Sequence, residues 1–366
     1  MTKLGYQSPG HIFRRFPGTR AGCDICSAFF RLPLLILLLA PVQPQTQQDG
    51  PSLKIRTSLV EVNLLAKSSD GKRISDLAKE DLLVYEDNEL QSISAFSKQK
   101  KNLSIALMVD SSGSMYNGPL MRAKLISDEI IGCLGEKDEV ALFDVGKKPE
   151  LLQESTNNIE LVGRGLIELA QPRRGMDLPK AGNGIHVHDT IFEGAKYLKT
   201  RPADKQRVVI VVSDNKTTPS NSASSSEAMS EALENDVIVA GFLPTPRRFG
   251  GVIPSRNLNQ YVHGSVKKYA EETGGETLTV EAPGDREAFR GARLPASGDL
   301  LSQDQIAQIK AVMERLRSAY VLTYYLKEND PGARERKVKV ELTEAAKASH
   351  GKVKLVYRKR YIHTGK

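Results

Sequence analysis

Leu103–Asp110 reads LSIALMVD, and Ser111–Ser114 carry it on as SSGS. The run is apolar apart from Ser104 and stops at an acid. An unalternating apolar run of this length suits a strand buried on both faces, as in a parallel sheet covered by helices. Glu139–Val145, Arg207–Asp214 (RVVIVVSD) and Asp236–Leu243 have the same texture. Helical patterns lie between and after them. Leu120–Leu134 puts Ile126, Ile130, Cys133 and Leu134 on one face, with Asn117 placed to cap it and Gly135 to stop it. Ile159–Leu169, Val187–Leu198, Tyr261–Thr273 and Gln303–Arg317 follow, and Ser224–Asn235 opens on a Ser224…Glu227 capping box. Strands alternating with helices predict a doubly wound α/β domain with a mostly parallel sheet.

The first strand delivers Asp110 to the carboxyl edge of that sheet, and the turn D-x-S-x-S holds Ser112 and Ser114 beside it. A second acid, Asp214, ends Arg207–Asp214 and reaches the same edge if both strands are parallel. Open α/β sheets bind ligands in the crevice at that edge. Two carboxylates and two hydroxyls form a hard, all-oxygen set suited to Mg²⁺ or Mn²⁺. The alternative is structural: Asp and Ser cap helices and complete turns. His186 and His188 are read as exposed or capping residues, Asp189 as a first-turn residue favoured by the helix dipole, and Cys133 as a core residue.

Both ends of the chain alternate instead. Ser52–Ser68, Leu82–Glu86 and Leu90–Phe96 read as antiparallel strands before the α/β core, and Tyr320–Leu326, Lys337–Leu342 and Lys352–Tyr357 after it. They are expected to pair into one small β module beside the core. Thr218–Ser226 and Pro244–Arg256 read as exposed loops, with Arg247 and Arg248 solvated.

VDSSGSM resembles the metal-ion-dependent adhesion site of von Willebrand factor A domains. More closely, the chain is similar to the acidobacterial von Willebrand factor A-related family of exported bacterial proteins. The likeness runs from about Leu59 to Tyr361. It takes in LLVYEDNELQSISAF, LSIALMVDSSGSM, DEVALFDV, RVVIVVSD, ETGG, RLRSAYVLTYY and KLVYRKRY. The resemblance implies a metal site at Asp110, Ser112, Ser114 and Asp214, where the family's Thr-Asp-Gly reads Ser213-Asp214-Asn215. In the middle motif the metal-binding Thr position holds Ile185, which has no oxygen; a water would take its place.

The implied organisation is a leader over residues 1–45, an N-terminal β segment over 52–100, the α/β domain over 101–285, and a C-terminal helix and strands over 286–366. Leu32–Ala40 is an apolar run too short to span a bilayer, preceded by arginines and followed by polar Gln43–Asp49. That is the layout of a secretory signal. Export to the periplasm or beyond is expected, with membrane contact only through an uncleaved leader. Cys23 and Cys26 (CDIC) would leave with it.

The formal net charge is +8, of which half lies in residues 1–45, and no basic run is interleaved with aromatics. Nucleic-acid binding is not expected. No G-x-S-x-G, H-E-x-x-H, P-loop or G-x-G-x-x-G occurs, and Ser112 stands where aspartyl-phosphate enzymes need a second acid. The expected function is a non-enzymatic module binding a protein or peptide partner through an acidic group completing the metal's shell. The alternatives are a metal-free interaction scaffold on the same fold and, behind it, a phosphohydrolase.

Overall fold

The structure is a computed structural model that describes residues 59–69, 71–115, 119–146, 148–171, 184–217, 221–245, 262–263, 266–282, 301–326 and 334–363. The leader, Cys23, Cys26, Asn117, Arg247 and Arg248 lie outside the described residues.

In chain order the strands and helices are β1 (Leu59–Ser68), β2 (Leu82–Glu86), β3 (Glu89–Gln91), β4 (Ile93–Lys100), β5 (Leu103–Val109), α1 (Pro119–Gly132), β6 (Glu139–Asp144), β7 (Glu150–Thr156), α2 (Ile159–Leu169), α3 (Val187–Leu198), β8 (Gln206–Val212) and β9 (Lys216–Thr217). They continue as α4 (Ser225–Glu234), β10 (Val237–Pro244), β11 (Val262–His263), α5 (Val266–Thr273), β12 (Thr277–Val280), α6 (Gln303–Arg317), β13 (Ser318–Tyr325), β14 (Arg334–Leu342), α7 (Glu344–His350), β15 (Val353–Tyr357) and β16 (Arg360–His363).

The central sheet has the order β12-β10-β8-β5-β6-β7, parallel throughout except for β7. Every residue of β5 is buried, as the unbroken apolar run demands. Two cores cover the sheet's faces. Leu103, Ile105, Leu107 and Val109 pack with α1, α2 and α6 residues such as Ile126, Leu166 and Val312. Ala106 and Met108 pack with Ile191 of α3, Met229 of α4 and Tyr269 of α5. The capping box Ser224…Glu227 opens α4 as read, the Ser224 hydroxyl accepting the Glu227 amide.

The two chain ends build two four-stranded antiparallel sheets, β15-β1-β13-β4 and β16-β14-β2-β3. Alternation explains the packing: Val60, Val62 and Leu64 of β1 face inward with Val84, Leu322, Tyr324 and Val340 in one core. Two expectations need correction. Within Tyr261–Thr273, read as one helix, Val262–His263 is the strand β11 paired with β9, and α5 begins at Val266. Leu90–Phe96 is not a single strand but breaks at Ser92: β3 stays with β2 while β4 crosses to β13. Alternation fixes which face a residue takes, not which sheet its strand joins. Strands β7, β9, β11, β12 and β16, and helix α7, were not anticipated.

The β sandwich meets the amino edge of the central sheet. Asn63 reaches Gln206 at the start of β8, and Lys67 pairs with Glu276 just before β12. Arg358 pairs with Asp236 before β10, and Arg360 with Glu272 of α5. The carboxyl edge, where β5 and β8 end, lies at the opposite end of those strands. Among the described residues no helix is long and apolar enough to cross a membrane.

Candidate functional site

The amide of Asp110 donates to the carbonyl of Val212 at 2.9 Å, so the sheet register carries past the end of β5. This sets Asp110 beside Ser213 and Asp214. The Ser213 hydroxyl donates to Asp110 Oδ2 at 2.6 Å, and the Ser112 amide donates to Oδ1 at 2.7 Å. Asp110 is fully buried. Its pKa is pushed up to about 7, by burial first and then by the charge of Asp214, against the bonds from Ser213 and Ser112 that favour the carboxylate. Ser112 Oγ and Ser114 Oγ stand 3.1 Å apart, and Ser114 Oγ donates to Asp214 Oδ1 at 3.1 Å. The fold thus joins Asp110, Ser112, Ser114 and Asp214 into one polar cluster.

A tight turn follows. Asn215, where the resembled motif has Gly, sits at φ 60°, a left-handed conformation that Asn tolerates. The turn sends the chain back over Asp214. The Lys216 amide donates to Asp214 Oδ1 at 3.2 Å, and Lys216 Nζ lies 2.9 Å from Oδ2. The Asp214 side chain is 1% exposed. Ile185 lies alongside, in a parallel bridge with Thr217. Its amide donates to the Lys216 carbonyl and its own carbonyl accepts the Thr217 hydroxyl, both at 2.9 Å. The Ile185 side chain is buried in the core beneath α3 and α4.

Gly184 makes this approach possible. A Cβ there would stand 2.1 Å from the Lys216 carbonyl oxygen and 2.5 Å from its carbon. Backbone cannot yield as a side-chain tip does. Gly184→Ala is therefore expected to force Ile185 and Lys216 apart and destabilise the chain by about 1–3 kcal/mol, the range for overpacking. Denaturant unfolding checks this; a change below about 0.5 kcal/mol contradicts it.

Other expected residues have different duties. Asp189 is in the first turn of α3 and also fastens a loop, accepting the amides of Ser222 at 2.8 and 3.0 Å and of Ala223 at 2.7 Å. The two histidines do not converge on a common point. His186 precedes α3 with Nδ1 3.9 Å from Asp189 Oδ2, while His188 Nδ1 meets the Tyr269 hydroxyl at 3.0 Å. Burial pulls the His188 pKa down. Cys133 is half-buried against the α1 core.

Three residues of the site were missed. Ser213 holds Asp110. Asp144 ends β6 and accepts the Ser111 hydroxyl at 2.6 Å, bracing the D-x-S-x-S turn from the next strand. Lys216 pairs with Asp214. Asp144 could have been found: it ends an apolar strand just as Asp110 does.

The donor set can be tested against a divalent cation. All four side chains offer oxygen, and Ser112 Oγ, Ser114 Oγ and Asp214 Oδ1 are spaced at 3.1 Å. Neighbouring ligands of Mg²⁺ at 2.0–2.1 Å stand about 2.9 Å apart. The two spacings about Ser114 Oγ are of the size that neighbouring ligands of the ion take. Ile185 contributes none, so water would complete the shell.

The von Willebrand factor type A domain profile matches residues 105–216, from within β5 to the turn after Asp214. This segment is a von Willebrand factor type A domain. No curated protein gives a significant match to the chain. Among solved structures, the chain is similar to BatB of Bacteroides thetaiotaomicron at 14% identity, covering 59% of this chain and 98% of that one, with a TM-score of 0.39. It is similar to manganese-loaded TRAP of Plasmodium vivax at 13% identity, covering 72% and 98%, with a TM-score of 0.35. A von Willebrand factor type A protein of Catenulispora acidiphila has 12% identity, coverage of 79% and 75%, and a TM-score of 0.38.

Proposed function

We propose that this chain is an exported, non-enzymatic interaction module that binds a protein or peptide partner at the carboxyl edge of its central sheet. The reading is carried by one observation. Asp110, Ser112, Ser114 and Asp214 belong to one hydrogen-bonded polar cluster at that edge, while the β sandwich meets the amino edge. In this reading the four residues hold Mg²⁺ or Mn²⁺, directly or through water. The bound ion supplies an open coordination position for a carboxylate of the partner. Asp110 and Asp214 provide the negative charge, Ser112 and Ser114 the neutral oxygens, and Asp144 holds the turn that presents them. Export rests on the leader-like residues 1–45, and the flanking β segments support membership of the acidobacterial family.

A second reading, a metal-free scaffold on the same edge, is favoured by Ile185 in the threonine position and by the cation that Lys216 already places on Asp214.

Thermal melts of the chain in EDTA, Mg²⁺ and Mn²⁺ separate the two. An ion at a hundred times its dissociation constant stabilises by about 2.7 kcal/mol, or roughly 5–10 °C for a chain of this size. The shift is expected in the natural chain and absent from Asp110→Ala and Asp214→Ala. No shift at millimolar metal rules out the metal-dependent reading.

A further inference from the structure

We infer that Lys216 is a resident counter-cation of this site, and that a divalent ion can enter only by displacing the Lys216 ammonium from Asp214. The inference deepens the metal-dependent reading above and rests on its choice of site. Lys216 Nζ lies 2.9 Å from Asp214 Oδ2, and the Asp214 side chain is 1% exposed, so solvent screens the pair little. The backbone pins the lysine there. Its amide donates to the other oxygen of the same carboxylate. Its carbonyl accepts the Ile185 amide. Lys216 itself pairs in register with His263 of β11. The left-handed turn at Asn215 aims amide and ammonium back at one acid.

A buried carboxylate requires a positive partner. In this chain the sequence supplies one covalently, two residues after the acid. The ligand set is also one oxygen short at Ile185. Both features weaken a divalent ion against the tethered ammonium, because the two cations repel at this separation and compete for one carboxylate. The lysine side chain is 33% exposed, and its four-carbon stem gives the ammonium a route to water when displaced. The site is thereby neutralised without metal and responds only at metal levels high enough to expel the lysine.

The test is Mn²⁺ titration of the whole chain, read by the spin resonance of free Mn²⁺, on the natural protein and on Lys216→Met. Lys216→Gln, which keeps a neutral polar side chain beside Asp214, is the second variant in case Met beside this acid does not fold. Removal of the ammonium is expected to tighten Mn²⁺ at least tenfold. Tightening supports the inference whether the natural chain binds measurably or not. Binding by the variants alone also shows the natural chain to be metal-free, overturning the metal reading while upholding the lysine's role. Equal, measurable affinities overturn the inference and leave the metal reading standing. No binding by any of the proteins overturns both.

Discussion

Asp138→Ala is expected to destabilise the chain by about 3–5 kcal/mol, the cost of stripping one partner from a buried ion pair. The Asp138 side chain is completely buried. One oxygen accepts the Leu103 amide at 2.7 Å and Arg317 Nη1 at 2.8 Å; the other accepts the Gly135 amide at 2.7 Å and Arg317 Nη2. The carboxylate thus joins the start of β5, the turn before β6, and the end of α6 where the chain enters the sandwich. Without it, two backbone amides lose their acceptor, and a guanidinium that is 10% exposed keeps only the Cys133 carbonyl, 3.3 Å from Nη2. Burial alone raises the Asp138 pKa, but the bonds from Arg317, Gly135 and Leu103 together outweigh burial and hold it below the ordinary carboxylate value. The sign follows. A depressed pKa means the stabilisation is complete above the unfolded value of about 4 and is lost as pH falls through the folded value. Denaturant unfolding should therefore show the full gap between natural chain and variant at pH 7, narrowing below pH 4. A gap under 1 kcal/mol at pH 7, or one unchanged in acid, contradicts this account.

How much of the molecule was legible in the sequence depended on the kind of contact. Strands β5 and β8 announced themselves because burial on both faces leaves no room for polar alternation. Asp110 and Asp214 were legible for a related reason: each is the first charged residue after such a run, so the sheet must deliver both to one edge. β7 and β12 were not, since both lie at the sheet's margins, ELLQEST is largely solvated, TLTV is only four residues long, and neither carries a comparable pattern. Lys216 was hidden differently. Its neighbour in sequence said nothing of its partner. The pairing depends on a left-handed residue at 215 that reverses the chain, and Asn marks such a residue far less firmly than Gly. Asp144 was overlooked although its signal was the same as that of Asp110.

The sandwich offers the second large effect. Glu86→Ala is also expected to cost about 3–5 kcal/mol. Glu86 is buried, and one of its oxygens accepts the hydroxyls of both Tyr324 and Tyr361 at 2.7 Å. Arg336 Nη1 lies 3.6 Å from its other oxygen and 3.1 Å from Asp87. Burial and then the bond to Glu86 raise the pKa of both tyrosines, so they remain neutral donors throughout the physiological range. The four residues come from β2, β13, β14 and β16, which makes this cluster a tie between the N-terminal and C-terminal strands. Truncation leaves two buried hydroxyls without their acceptor and a buried guanidinium with less counter-charge. Tyr324→Phe removes one donor and leaves the carboxylate the other, so a smaller loss of about 1.5–3 kcal/mol is expected. The sandwich grips the amino edge of the central sheet through Lys67 on Glu276, Arg358 on Asp236 and Arg360 on Glu272. Through that polar seam the two parts are expected to unfold together. Calorimetry of Glu86→Ala should then show one transition moved down by roughly 10 °C. Two transitions, with only one displaced, would mean that the von Willebrand factor A domain stands without its β partner.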